Sequence, residues 1–476
     1  MSLIQGSPNP SPPQGGRGGR VRAMADRLKA IAGRVAATPR LRGETGWVVA
    51  NTLISFPLQF LMLKILTSYL GKASFGEFNL VQTAGMLVGG VLLTPMFQTY
   101  LRNYHTVLSK GGARSAGVFM LAWMAVVTVL VAAVVASLAG PLSRLVEMSA
   151  LTIIAGGLYF VAARWLATGL NILDISRRRK TSTIHYLSRI AAECLLLLAV
   201  LGAGWRTSGA ALLVCFVCEG VFAVLVMGPL VREIFSFRAG TTSRMVHMVV
   251  TFGLPYGMLE VFQWFQGFSD RYILAYLAGT EPAGQYVAAY QMAGVPFVLL
   301  QNFLYMLLLP IAYQRARDIT DPRQVWSADK VLLGGLAVYL LAGLAFLPVY
   351  AIWGPPLLVI LTTRSFAMPA AIIIVLAIGR YVHCMDGFFR SAFSVHNKVD
   401  RLLWYRLAGA LVAVPVCWFA VRWKGMAGAA GGMLVSMVIY TVMVSFGPGG
   451  CFWLFRDDCR RFAARVAAVR SSTPAG

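Results

Sequence analysis

Apolar residues fill the chain in runs of about twenty, separated by short polar breaks. A run of that length crosses the ~30 Å hydrocarbon layer of a bilayer as an α-helix. The pattern predicts twelve spans: 46–69, 77–101, 115–138, 149–172, 182–203, 209–230, 246–277, 284–311, 330–352, 366–394, 402–421 and 427–447. Seven prolines fall inside them (57, 95, 255, 296, 348, 369 and 415). They are tolerated where neighbouring helices satisfy the freed carbonyls. No soluble core absorbs so many apolar runs, so the fold class is an all-α polytopic membrane protein with twelve transmembrane helices.

Two of the polar breaks share one pattern. Residues 70–78 read LGKASFGEF, and residues 268–296 contain the longer stretch FSDRYILAYLAGTEPAGQYVAAYQMAGVP. Gly71, Gly76 and Phe78 match Gly279, Gly284 and Tyr286, each 208 residues further on. A repeat of that period divides the chain into two similar halves. The copies follow spans 1 and 7, which run in the same direction, so the halves are parallel repeats: two pseudo-symmetric six-helix bundles with a cavity between them. The expected division is a basic tail (1–45), an N-terminal bundle (46–230), a linker (231–245), a C-terminal bundle (246–447) and a second basic tail (448–476). Residues 1–20 are rich in Pro, Gly and Ser and read as disordered; GGRGGR there is linker rather than a phosphate loop. Val21, Met24, Leu28, Ile31 and Val35 then repeat at helical spacing among arginines, a short amphipathic helix suited to an anionic leaflet. No apolar run precedes residue 46, so no signal peptide is expected.

Composition agrees with this picture. Of the 476 residues 58% are hydrophobic and only 13% charged, about half the charge of a soluble domain. The net charge of +24 would suggest nucleic acid in a soluble chain, but stacking and helix-turn-helix signatures are absent, so no nucleic-acid partner is expected. The cations follow the positive-inside rule instead. Each even-numbered loop holds three or more Lys or Arg, including the 177–180 cluster, and no odd-numbered loop holds more than two. Both tails are therefore expected in the cytoplasm.

Catalytic constellations are missing. The five histidines (105, 185, 247, 383 and 396) are scattered, and the chain has no nucleophile elbow, Walker loop or HExxH. Cys215 and Cys218 form a C-x-x-C without a second pair, which reads as small hydrophobes in a helix. No enzyme activity, metal or cofactor is expected. What remains is charge at span depth. A lone Arg or Lys at mid-bilayer costs about 2.5–3.5 kcal/mol, so Arg164, Arg189 and Arg380 together would cost about 8–10 kcal/mol against lipid and should face the protein or water.

Glu193, Glu219 and Glu260 are the carboxylates available to balance these arginines, or to bind a coupling H+ or Na+. Arg189 and Glu193 are four apart and can neutralise each other on one helix face; Arg164 must find Glu219 or Glu260 across helices, or a ligand. Arg380, His383, Asp386 and Arg390 lie within an arc of about 120° on span 10, at about 100° per residue. That stripe either lines a water-filled path or is buried in full pairing. Lys64, Asp270 and Arg271 sit near the outer side, as an outer gate or as interfacial residues, the lysine with a stem able to snorkel.

Twelve spans with both ends inside, the G-x-x-x-x-G-x-[FY] turn after span 1 and its echo DRYILAYLAGTEPAGQY at residues 270–286 resemble the Wzx-type lipid-linked oligosaccharide flippases. These belong to the multidrug/oligosaccharidyl-lipid/polysaccharide (MOP) exporter superfamily, and the likeness covers about residues 45–447. The resemblance implies two bundles in a V-shaped alternating-access architecture in a bacterial inner membrane. It implies an undecaprenyl-diphosphate-linked glycan as cargo, with the lipid tail kept in the bilayer, and a polysaccharide polymerase and glycosyltransferases as partners. Arg164, Arg189, Arg380, His383 and Arg390 would then meet the substrate, with Glu193, Glu219, Glu260 and Asp386 balancing charge or coupling an ion. Four cations against three carboxylates at span depth make a less cationic cavity than such flippases have, which favours a diphosphate held near the rim by Arg390 and the 177–180 cluster. A cation-coupled drug antiporter of the same superfamily is the alternative; it predicts carboxylates in the N-terminal cavity, and spans 1–3 carry none at depth. A membrane glycan polymerase or ligase would need a large outer loop, and the longest outer loop here is about a dozen residues.

Overall fold

Each apolar run becomes a helix in the computed structural model, which describes residues 39–97, 99–100, 113–145, 147–236, 253–316, 321–396 and 398–471. No strand occurs among them. The N-terminal half comprises α1 (Pro39–Tyr69), α2 (Gly71–Leu92), α3 (Ala113–Leu145), α4 (Ala150–Ile175), α5 (Arg179–Gly202) and α6 (Ser208–Ser236). The C-terminal half comprises α7 (Leu254–Ala278), α8 (Thr280–Arg315), α9 (Pro322–Leu361), α10 (Ala370–Cys384), α11 (Asp386–Val395), α12 (Val399–Phe446) and α13 (Cys451–Ser471). The tail helix expected over 21–36 and most of the 231–245 linker lie outside the described residues.

Span 10 and the two repeated turns differ from the sequence pattern, and the break between spans 11 and 12 falls where the pattern puts it. Span 10 is two helices, α10 and α11, meeting at Met385. Spans 11 and 12 are the arms of one hairpin in α12, reversed at Lys424 and Gly425, where the glycine takes φ +53°. The arms touch so closely that a Cβ on Gly428 would strike the Ala420 carbonyl. The two repeated turns are also tighter than the pattern suggests. Each is a single left-handed glycine, Gly71 at φ +71° and Gly279 at φ +92°, and the next helix starts at once. Glu281 and Pro282 belong to the first turn of α8, where a missing proline N–H is harmless.

Nine helical stretches among the described residues are long and apolar enough to cross a membrane. Neither α2 nor α7 is in that set, because they carry polar residues inward: Asn79, Gln82 and Thr83 on α2, and Gln263, Gln266, Asp270 and Arg271 on α7. These two helices, with α8, join the halves. In the N-terminal half α4 packs mainly on α6 and α1 on α5; in the C-terminal half α7 packs on α12 and α8 on α9. The largest apolar cluster runs from Leu63, Phe75 and Phe78 through Ile190 and Leu197 to Tyr286, Phe297 and Met433, so it spans both halves.

Candidate functional site

The repeated glycines meet each other. A Cβ on Gly76 would strike the Thr280 carbonyl oxygen, and one on Gly284 would strike the Lys72 carbonyl oxygen. Thr280 stands to Lys72 as Gly284 stands to Gly76, at the same offset of 208, so the contact is its own mirror about a pseudo-twofold axis. Small residues let α2 and α8 touch backbone to backbone. Around this seam Lys72 Nζ pairs with Glu281 Oε1 at 3.1 Å, Gln291 donates to Asn79 Oδ1 at 2.7 Å, and Phe75 packs edge-on against Phe366 at 5.8 Å. Lys64 on α1 donates to the Thr362 carbonyl just beyond α9. Of the three residues read as an outer gate, Lys64 therefore crosses between the halves. Asp270 and Arg271 turn into their own bundle: Tyr286 donates to Asp270, and the Arg271 guanidinium lies between the rings of Phe268 (4.8 Å) and Tyr290 (4.6 Å).

Away from the seam the twofold breaks down. Towards the opposite end α2 stays on α7. Trp264 Nε1 donates to the Thr83 carbonyl at 2.7 Å, Tyr272 donates to the Leu80 carbonyl at 2.6 Å, and Glu260 lies against Gly90. Pro95 packs on Gly253 and Gly257. The pair related by the repeat is α8 with α1, and its contact is far sparser. Pro95 and Gly257 are buried; the residues 208 away, Phe303 and Val49, are 46% and 37% exposed. The wall between the halves is sealed at α2–α7 and loose at α1–α8.

The charges at span depth sort into three groups. In the N-terminal half Arg189 Nη1 donates to Glu193 Oε2 at 2.7 Å and to Glu219 Oε1 at 2.8 Å, and its guanidinium stands over Tyr186 at 5.4 Å. The i,i+4 pairing expected from sequence is present, with Glu219 added from α6. One arginine faces two carboxylates, and Glu193 Oε1 is buried without a hydrogen-bond partner.

Between the halves, Arg164 on α4 lies against Gly89 and over Phe160 at 5.6 Å, while Glu260 on α7 lies against the adjacent Gly90. Glu219 is committed to Arg189. Glu260 is the carboxylate whose charge Arg164 feels, yet among the described residues the two form no ion pair. Gly89 and Gly90 thus hold an unpaired cation and an unpaired anion on either side of α2.

In the C-terminal half Asp386 is a hub. It accepts from Tyr440 at 2.6 Å, from Arg390 at 3.3 Å and from Arg406, which also donates to Gln266 at 2.9 Å. Arg390 reaches Gln263 Oε1 on α7 at 2.6 Å, and its side chain keeps 33% exposure. The stripe expected on span 10 divides at Met385. Asp386 and Arg390 share the hub; His383 Nδ1 faces Met437 Sδ at 3.2 Å; and Arg380 donates to the Tyr290 hydroxyl at 2.6 Å with its Nε buried and unbonded. Arg406, Tyr440, Gln263 and Gln266 escape sequence reasoning. Arg406 falls only four residues into span 11 and counts there as a loop cation, yet it is 1% exposed. The spacing of Gln263, Gln266 and Asp270 along one face of α7 is the signal that points to them.

No protein-family model matches the sequence, and no curated protein does. Solved structures do. A MOP superfamily transporter from Pyrococcus furiosus, described as having a binding pocket of reverse polarity, superimposes with a TM-score of 0.64 at 12% identity, over 90% of this chain and 96% of that one. The chain has the MOP-transporter fold. An inward-facing multidrug resistance MATE transporter shares it (TM-score 0.62, 13% identity, 89% and 99% covered). So does the lipid II flippase MurJ in its inward closed conformation (TM-score 0.64, 9% identity, 87% and 90% covered). The glycine seam and the loose α1–α8 wall lie between the two halves, Arg164 and Glu260 flank α2 there, and the other two charge groups lie within their own halves.

Proposed function

We propose that this chain is a flippase for an undecaprenyl-diphosphate-linked oligosaccharide of surface polysaccharide biosynthesis. It works in the inner membrane of a bacterium with both termini in the cytoplasm, alongside glycosyltransferases and a polymerase. The observation that carries this reading is the one-sided break in the pseudo-twofold. A water-soluble cargo needs only an axial mouth. A cargo anchored by a lipid tail needs a slot in the side wall, so that the tail stays in hydrocarbon while the headgroup travels inside. The loose α1–α8 wall, on the end that the positive-inside rule assigns to the cytoplasm, meets that requirement. Arg390 is the half-buried cation of the C-terminal hub, Arg164 has no ion partner among the described residues, and both suit a diphosphate. Arg380 and His383 line the same bundle further in. MurJ, which shares the fold, is by its description the lipid II flippase, which supports the same reading.

The carboxylates supply coupling. Arg189 with Glu193 and Glu219 leaves one negative charge in a low-dielectric interior, which costs several kcal/mol unless a proton or Na+ joins it. That surplus also favours a second reading, a cation-coupled drug antiporter of the same fold. The two separate in proteoliposomes loaded with lipid-linked oligosaccharide extracted from producing cells. The flippase exposes the glycan to an outside glycosidase at a rate that falls at least about tenfold in Arg390→Ala. An antiporter leaves the glycan protected and instead exchanges a cationic dye for H+ or Na+.

A further inference from the structure

The end of the molecule opposite the seam carries a feature that transport does not use. Helix α13 follows the last span and bears five arginines and two aspartates over 451–471. It is pinned to the bundle from one side. His396 lies between two carboxylates, with Nε2 3.0 Å from Asp329 Oδ1 and Nδ1 3.3 Å from Asp458 Oδ2, and Cys451 and Leu454 are buried beside it. Between α13 and the first turns of α9 lies a cleft of about 470 Å³, inside the range of about 300–1,000 Å³ typical of small-molecule sites. It is lined by Trp326, Leu333, Phe452, Phe455, Cys459 and the side chains of Arg456 and Arg460. Phe452, Phe455, Arg456 and Cys459 follow i, i+3, i+4, i+7 spacing, so one face of α13 is both apolar and cationic. Arg456 is stacked 3.7 Å over Trp453 with its Nε buried and without a hydrogen-bond partner; Asp457 stands 3.8 Å from that nitrogen. Lys330 adds a further cation, 5.4 Å over Trp326.

We propose that this cleft binds one anionic phospholipid of the cytoplasmic leaflet, an acyl chain against Trp326, Leu333 and Phe455 and a phosphate between Arg456 and Arg460. Free phosphate has no use for the aromatic walls, and a zwitterionic lipid brings a phosphate already balanced by its own ammonium, with no net charge for the paired arginines. An anionic diacyl lipid uses both. The site rests on the cytoplasmic placement of α13 and not on the identity of the cargo, so it can fail while the flippase reading stands, and the reverse.

The test uses the full chain in vesicles of phosphatidylcholine with increasing brominated phosphatidylglycerol or, in parallel, brominated phosphatidylcholine. Trp326 is isolated as the difference between the natural protein and Trp326→Phe. Brominated phosphatidylglycerol should quench Trp326 at a lower mole fraction than brominated phosphatidylcholine. A Lys or Arg near an anionic surface contributes about fivefold in affinity, so Arg456→Gln/Arg460→Gln should reduce that preference roughly 25-fold, to near none. Arg456→Lys/Arg460→Lys should keep it, which guards against a folding artefact. Equal quenching by the two lipids would overturn the proposal, as would a preference unchanged in the glutamine variant. Displacement of the brominated lipid by lipid-linked oligosaccharide at equal mole fraction would overturn it too, by assigning the cleft to the cargo.

Discussion

Arg406 shows how little of a buried network is visible one residue at a time. In the sequence it is one more basic residue near a span boundary; in the fold it is almost fully buried and bonded to both Asp386 and Gln266. Removing one partner of a buried pair strands the other charge, at about 3–5 kcal/mol. Arg406→Ala should therefore lower the thermal unfolding midpoint in detergent markedly, whereas Arg390→Ala, at a partly exposed cation, should leave it within a few degrees and act on transport. Similar loss of stability in both would mean that Arg390 is structural. The opposite sensitivity is expected at Glu193. Glu193→Gln removes the surplus carboxylate while Glu219 still holds Arg189. The fold should survive and the dependence of transport on an H+ or Na+ gradient should vanish; retained dependence would place coupling elsewhere. The interior Arg and Glu residues were legible as expensive in hydrocarbon. Their partners were not, because Glu219, Gln266 and Tyr440 come from other helices, and no spacing along the chain records which helices touch.

At the scale of helices, the repeated glycines divide into two roles that the motif alone cannot separate. Gly71 and Gly279 serve conformation: with φ positive and nothing near a built Cβ, a side chain there meets only backbone strain of about 1–3 kcal/mol. Gly76 and Gly284 serve contact, since a Cβ would strike a backbone carbonyl that cannot move aside. Gly279→Ala should thus cost modest stability and leave transport near normal. Gly284→Val should keep the helices but pry the seam apart, and spin labels at the starts of α2 and α8 should report a longer mean distance. An unchanged distance would mean that the seam does not depend on the glycine. The apolar runs made the helices readable and the offset of 208 made the repeat readable; that the repeated glycines touch was not. The reversal at Lys424 and Gly425 was readable from the basic break between spans 11 and 12; the break at Met385 was not, because a one-residue junction leaves almost no polar signature between apolar arms.

For the molecule as a whole, the repeat predicts symmetry, and the departure from symmetry carries the mechanism. One wall between the bundles is closed along α2 and α7, and the related wall at α1 and α8 is loose. No hydropathy pattern encodes that difference, since both walls use equivalent positions of the two repeats; it belongs to the state in which the molecule sits. In the flippase reading the glycine seam is a gate, shut in this state, that opens to release the cargo on the far side. The most direct test is a covalent clamp. With Cys459, the exposed native thiol, changed to serine, Lys72→Cys and Glu281→Cys can be bridged by a short cleavable bis-thiol reagent. Bridging should stop translocation of lipid-linked oligosaccharide almost completely, and cleavage of the reagent should restore it. Undiminished translocation with the bridge in place would mean that the seam does not open during transport.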